Sequence, residues 1–187
     1  MATLAFALGM VTACQREEAK ADLTPLPTVA APPYICDHIP LRAVELMTGV
    51  HEPQFSGSFD LTPSNGDGSC LVRRSDGEHR TLLSIVLLPL GGEAIVKDHL
   101  QQGATPLPEI APGTNGYYSR NPGDEYDDGH AVLARGEAHL IVELTQGAEG
   151  RDHAADVAAL MKLIGPKLLK VVDPTGPSPK TPSVTKD

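Results

Sequence analysis

Thr81-Leu82-Leu83-Ser84-Ile85-Val86-Leu87-Leu88 is apolar on both faces of an extended chain. Such a run predicts a central strand covered from both sides, and it marks the core. Just upstream, Ser69 to Arg74 and Arg80 to Leu88 flank Ser75-Asp76-Gly77-Glu78. Asp-Gly between two strand-like runs predicts a hairpin.

Working outward toward the N-terminus, residues 51–68 are rich in Gly, Pro and Ser and read as a long loop. Before them, Leu41, Val44 and Met47 recur at helical spacing behind Pro40, with Gly49 as a C-terminal cap. A helix over about 40–48 follows. Toward the C-terminus, Gly91-Gly92 open a short helix with Ile95, Val96 and Leu100 as its apolar stripe. Past the Pro-rich 105–113, strands are expected at Tyr117–Arg120, His130–Arg135 and Ala138–Leu144, the last two joined through Gly136-Glu137. Leu140, Val142 and Leu144 should face one way, and His139, Ile141 and Glu143 the other. Asp152 caps a last helix carrying Val157, Leu160, Met161 and Ile164, which Gly165-Pro166 should stop or kink. The fold class is therefore α+β: an antiparallel sheet of about five strands with packed helices, in the order α-β-β-α-β-β-β-α.

Composition narrows the function classes. The 187 residues hold no Trp, three Phe and four Tyr, too few exposed aromatic faces for a sugar platform or a base-stacking surface. Fifteen Lys and Arg against 24 Asp and Glu leave a net charge of −9. That is the wrong sign for neutralising phosphates, so no nucleic-acid partner is expected. No apolar run reaches the length of a membrane-spanning helix.

Residues 1–13 are uncharged and mostly apolar, the length of a signal-peptide core. They end in Val11-Thr12-Ala13-Cys14, followed at once by Gln15-Arg16-Glu17-Glu18. An aliphatic residue, two small residues and a cysteine look like a bacterial lipobox. There the cysteine is acylated, a palmitate-type modification, and holds the mature protein on a membrane. No Lys or Arg precedes the apolar run, a departure from the usual pattern. Residues 14–33 then read as a lipidated N-terminus and flexible tether, 34–171 as a single α+β domain, and 172–187 as a disordered Pro/Thr/Ser/Lys tail.

With Cys14 assigned to lipid, Cys36 and Cys70 are left. An even pair in an oxidising compartment reads as a disulfide. The competing reading makes one of them a catalytic thiolate, which needs a neighbouring base. No cysteine-protease signature surrounds either.

In their order, these marks resemble a class of small secreted actinobacterial lipoproteins built on a domain of unknown function. The marks are Cys14, the Pro/Ala/Thr tether, Cys36-Asp37-His38-Ile39-Pro40 opening a helix that ends in Gly49, and Gly68-Ser69-Cys70. That class commonly has an aromatic residue two positions after the second cysteine, where this chain has Val72. The resemblance implies a cell-envelope location, a Cys36–Cys70 disulfide and a sensor-like binding role. It carries over no catalytic residue.

Motifs for chemistry are sparse. The seven histidines show no zinc-ligand spacing, and His51-Glu52 is followed by Pro53-Gln54-Phe55 rather than by a second His at i+4. Gly-x-Ser-x-Gly is absent. The acidic run Asp124, Glu125, Asp127, Asp128 has hard oxygen ligands for a cation, but without the alternating spacing of a calcium loop it reads first as a solvated hairpin tip. Tyr117, Tyr118 and Tyr126 beside it suit either a wet contact surface or ordinary sheet packing. No catalytic, metal or cofactor residue is assigned. The expectation is a membrane-anchored extracytoplasmic lipoprotein, on the outer face of the cell membrane. Its role is that of a binding, sensor-like or accessory module for an envelope protein or small ligand. An envelope hydrolase with no recognisable motif, or a structural or inhibitory envelope protein, stands as the alternative.

Overall fold

The run 81–88 forms a strand inside a sheet, and its neighbours follow from its two faces. The computed structural model describes residues 22–62, 66–75, 80–122 and 127–169. Its first elements are β1 (Tyr34–Ile35), β2 (Ile39–Pro40), α1 (Leu41–Thr48), β3 (Gln54–Asp60), β4 (Asp67–Arg73) and β5 (Thr81–Leu88). Then come α2 (Gly92–Gln101), β6 (Thr105–Pro106), β7 (Asn115–Pro122), β8 (Asp127–Arg135), β9 (Ala138–Leu144) and α3 (His153–Leu168). Strands β3-β4-β5-β9-β8-β7-β6 form one sheet in that spatial order, every neighbour antiparallel. β1 and β2 pair separately ahead of α1.

The fold is α+β as expected, but the large sheet has seven strands rather than five. α1, β4, β5, α2, β7, β8, β9 and α3 reproduce the expected succession, and β1, β2, β3 and β6 are additional. Three of these four are two-residue strands, too short to show a period. The fourth, β3, lies inside the stretch expected to be loop. Gln54-Phe55-Ser56-Gly57-Ser58-Phe59-Asp60 has only two apolar residues and weak strand formers between them. It is extended because its backbone pairs with β4 along its whole length, from Gln54↔Arg73 to Asp60↔Asp67.

One face of the sheet carries the main core. Leu83, Ile85 and Leu87 of β5 pack there with Cys70, Val72, Leu133, Leu140, Val142 and Leu144. Val44 and Met47 of α1, with Val157, Leu160, Met161 and Ile164 of α3, cover them. Leu140, Val142 and Leu144 face the core as their alternation required. The second face is covered only in part, which corrects the expectation for β5. α2 packs mainly on β7, β8 and β9, burying Val96, Tyr117, Val132 and Ala134. Val86, paired with Ser69 and Ile141, is therefore half-buried.

α1 ends as expected, with Gly49 in the left-handed conformation donating to the Glu45 carbonyl. α3 differs: it runs through Pro166 to Leu168. The proline falls in the last turn, where only one intrahelical bond is forfeited, and the buried Leu168 and Leu169 hold that turn down. Gly165 is needed here, because a Cβ would come within 2.7 Å of the Leu133 side chain.

Cys36 and Cys70 are bonded, with their Cα atoms 5.9 Å apart. Cys36 lies in the β1–β2 turn and Cys70 inside β4, so the bond pins the hairpin ahead of α1 to an inner strand. This disposes of the thiolate reading, since neither sulfur is free. Reduction should cost about 3–4 kcal/mol by the chain-entropy account, lowering the melting temperature by roughly 10 °C. Calorimetry with and without reductant measures the drop, and thiol labelling of the native protein should find neither Cys36 nor Cys70 reactive.

Candidate functional site

A wide concavity lies at the end of α1, against the loop between β9 and α3. It is a groove of about 980 Å³ whose rim includes Asp22, Arg42, Glu45, His51, Arg74 and Glu149. Gly49 and Ala148 lie at its base, and the Ala148 amide donates to the Met47 carbonyl. The left-handed Gly49 lets the chain turn out of α1 with Ala148 in contact, since a Cβ at Gly49 would sit 3.1 Å from the Ala148 Cβ.

Charge on this rim is arranged in pairs. The Arg42 guanidinium donates to Asp22 at 2.9 Å and lies 4.0 Å from Glu45. His51 Nδ1 is 3.7 Å from the other Glu45 oxygen, and the Glu52 amide donates to Glu45 at 3.3 Å. The partner of His51 is thus Glu45, six residues earlier in the last turn of α1, and not the adjacent Glu52. Asp22 is pulled down to about 2, chiefly by the Thr24 hydroxyl and amide and then by Arg42. It stays an anion throughout the ordinary pH range. With both signs present, the groove suits a polar or zwitterionic ligand, or the charged side chains of a protein partner.

One wall of the groove comes from the stretch expected to be free tether. Of residues 14–33, the part from 22 onward lies on the domain. Leu26 is buried in the core, and the Tyr34 hydroxyl donates to the Ala30 carbonyl. Arg151 clamps the segment by donating to the carbonyls of Asp22 and Thr24 at 2.7 and 2.9 Å. The same guanidinium holds Asp156 in a fork at 2.6 and 2.8 Å, both side chains nearly inaccessible. That fork raises the Arg151 pKa further.

A second polar cluster lies under α2. His99 stacks on Tyr117 with centroids 4.5 Å apart, and His130 leans on the same ring at 5.7 Å. Burial pushes the Tyr117 phenol up to about 12. Burial also lowers His130, against an opposing pull from Glu143 and with a small push from His99. The Tyr117 hydroxyl and both His139 ring nitrogens are buried without a hydrogen bond of ordinary geometry among the described residues. His139 is lowered by its burial, partly offset by the Glu137 backbone. Burial thus favours the neutral forms of Tyr117, His130 and His139, and the cluster gives α2 a polar underside. A shallower hollow of about 580 Å³ runs beside α2, past Glu93, Lys97 and Asn115.

The site residues anticipated from sequence are distributed as follows. Cys36 and Cys70 are joined. Cys14, the signal segment 1–13 and the tail 172–187 lie outside the described residues. So do Asp124, Glu125 and Tyr126; Asp127 and Asp128 begin β8. Among the described residues no group of three or more His, Cys, Asp or Glu is placed to hold a metal ion, and no helix is long and apolar enough to cross a membrane. The groove residues Asp22, Arg42, Glu45, Arg74 and Glu149 were not anticipated. They come from four separate stretches of chain, and nothing in their spacing announces the meeting.

No family model and no curated protein matches this chain. A solved structure similar to it, a GTP binding regulator from Thermotoga maritima, is 10% identical, covering 74% of this chain and 93% of that one, with a TM-score of 0.32. A likeness of that size says nothing of what this chain does.

Proposed function

We propose that this chain is a lipid-anchored, extracytoplasmic binding or accessory module of the cell envelope, held by Cys14 and using the groove beside Asp22. The observation that carries the reading is the Cys36–Cys70 bond. Disulfides of this kind persist in oxidising compartments and are rare in the cytosol. With those two cysteines paired, Cys14 is left over, directly behind Val11-Thr12-Ala13.

The docked segment adds a geometric consequence. At about 3.5 Å per residue, the stretch from Cys14 to Asp22 spans less than about 30 Å even when fully extended. An anchor at Cys14 would therefore keep the groove close to the membrane surface. A chain of net charge −9 gains nothing from anionic headgroups, so the acyl chains would have to supply the attachment.

Cys14→Ala tests this directly. The unmodified protein should fractionate with membranes and carry an acyl mass on its N-terminal peptide. The variant should appear in the soluble exported fraction or accumulate unprocessed. Unchanged fractionation, together with an unmodified Cys14 peptide in the wild type, would overturn the anchor.

A further inference from the structure

The two edges of the large sheet are built differently. β6, at one edge, is two residues long and contains Pro106, the usual means of stopping further pairing. β3, at the other, is seven residues long, with no proline, no lysine and one charged residue, Asp60, at its end. Residues 54–58 are all exposed, and Phe55 shows 52% of its surface. β4 is the only described element making substantial contact with β3. Cys36 Sγ touches it from the core side, 3.8 Å from the Ser56 carbonyl oxygen. A long, nearly uncharged edge is a template for another strand, and only Gly57 at its middle departs from regular extended backbone, with a φ of 115°.

The order of residues on that edge says which strand fits. Phe55-Ser56-Gly57-Ser58-Phe59 reads the same in both directions about Gly57. We propose that β3 pairs antiparallel with β3 of a second copy of this chain, about a two-fold axis through Gly57, joining two seven-stranded sheets edge to edge. In that register Phe55 of each chain lies opposite Phe59 of the other on the core side of the sheet, where Phe59 is itself buried beside His38 and offers only its outer edge. Ser56 faces Ser58 on the open side, and Gln54 faces Asp60. Each pair is one that antiparallel strands favour or tolerate: aromatic on aromatic, hydroxyl on hydroxyl, and a carboxylate on an amide. A two-fold axis makes every contact twice, the isologous arrangement of most homodimers. Parallel pairing in register would instead set Asp60 on Asp60. The antiparallel register keeps Asp60 off its own copy, so it adds no like-charge contact to the general repulsion between two chains of net charge −9. Phe55, otherwise an exposed aromatic on a strand end, gains a partner.

Sedimentation equilibrium of the purified full-length protein, in one mild detergent throughout, tests this with two charge variants. The unmodified protein should show a two-chain mass that falls toward one chain on dilution. S56K/S58K and S56E/S58E each place like charges opposite one another twice, and each should self-associate about tenfold more weakly. Mixing the two variants should restore a mixed dimer at least as tight as the unmodified one. Unfolded chains cannot do that, so the mixture separates lost pairing from lost structure. A single-chain mass at every concentration would overturn the proposal. So would a dimer indifferent to both substitutions, or a mixture no tighter than its components.

Discussion

Ile85→Glu should leave little folded protein at room temperature, whereas Val86→Glu, one residue along, should yield a soluble domain with a modestly lowered melting point. Ile85 has no accessible surface and sits in the main core between Cys70 and Val142. An isolated carboxylate there either stays charged without a partner or takes up a proton as its pKa rises, and both routes cost several kcal/mol. That is comparable to the whole stability of a typical domain, about 5–15 kcal/mol. Val86 points to the other face, where it is only half-buried, beside Ser69 and Ile141. Its replacement can leave the new carboxylate in water, at a cost of about 1 kcal/mol, in line with an average surface-proximal change. Urea titration of both variants gives the comparison. Equal losses would mean that the second face is covered as fully as the first.

This contrast also marks where the residues themselves stop informing. Composition along 81–88 shows that both faces are apolar, but not how far a ten-residue helix extends over one of them. α2 was legible from Gly91-Gly92 and its stripe; its coverage of three strands out of seven is a matter of tertiary placement. In the same way the turn at Gly136, the cap at Gly49 and the cap at Asp152 were legible because each rests on the local chemistry of one or two residues. β3 was not, because an edge strand with one partner needs no apolar alternation. It borrows its order from the β4 backbone. The Cys36–Cys70 pairing followed from counting, once Cys14 was set aside for lipid. The groove did not follow at all, since Asp22, Arg42 and Glu149 meet only through tertiary packing, with Arg151 holding the Asp22 end of it. His99 and His130 are a similar case: 31 positions apart in sequence, they meet on one tyrosine ring because α2 crosses β7 and β8.

Arg151→Ala should destabilise the domain by about 3–5 kcal/mol, the range for breaking a buried pair by removing one partner. Asp156 then keeps its carboxylate in a site with almost no solvent, without the two short bonds that now hold it. Asp156→Asn in the same background removes the stranded charge, so R151A/D156N should recover part of the loss. The recovery measures the coupling between the two side chains. Arg151→Lys keeps the charge but not the fork, and should fall between the wild type and R151A. Stability alone would not separate the ion pair from the second duty of Arg151, which is to hold the carbonyls of Asp22 and Thr24. Limited proteolysis at Leu23 does separate them. Both R151A and R151A/D156N lose the donors to those carbonyls, so cleavage there should accelerate in each, however much stability the second substitution returns. D156N by itself leaves Arg151 free to keep the segment in place, and cleavage at Leu23 should stay at the wild-type rate. If the segment stayed protected in R151A, the burial of Leu26 would be sufficient to hold it, and the wall that Asp22 and Leu23 give to the groove would not depend on Arg151.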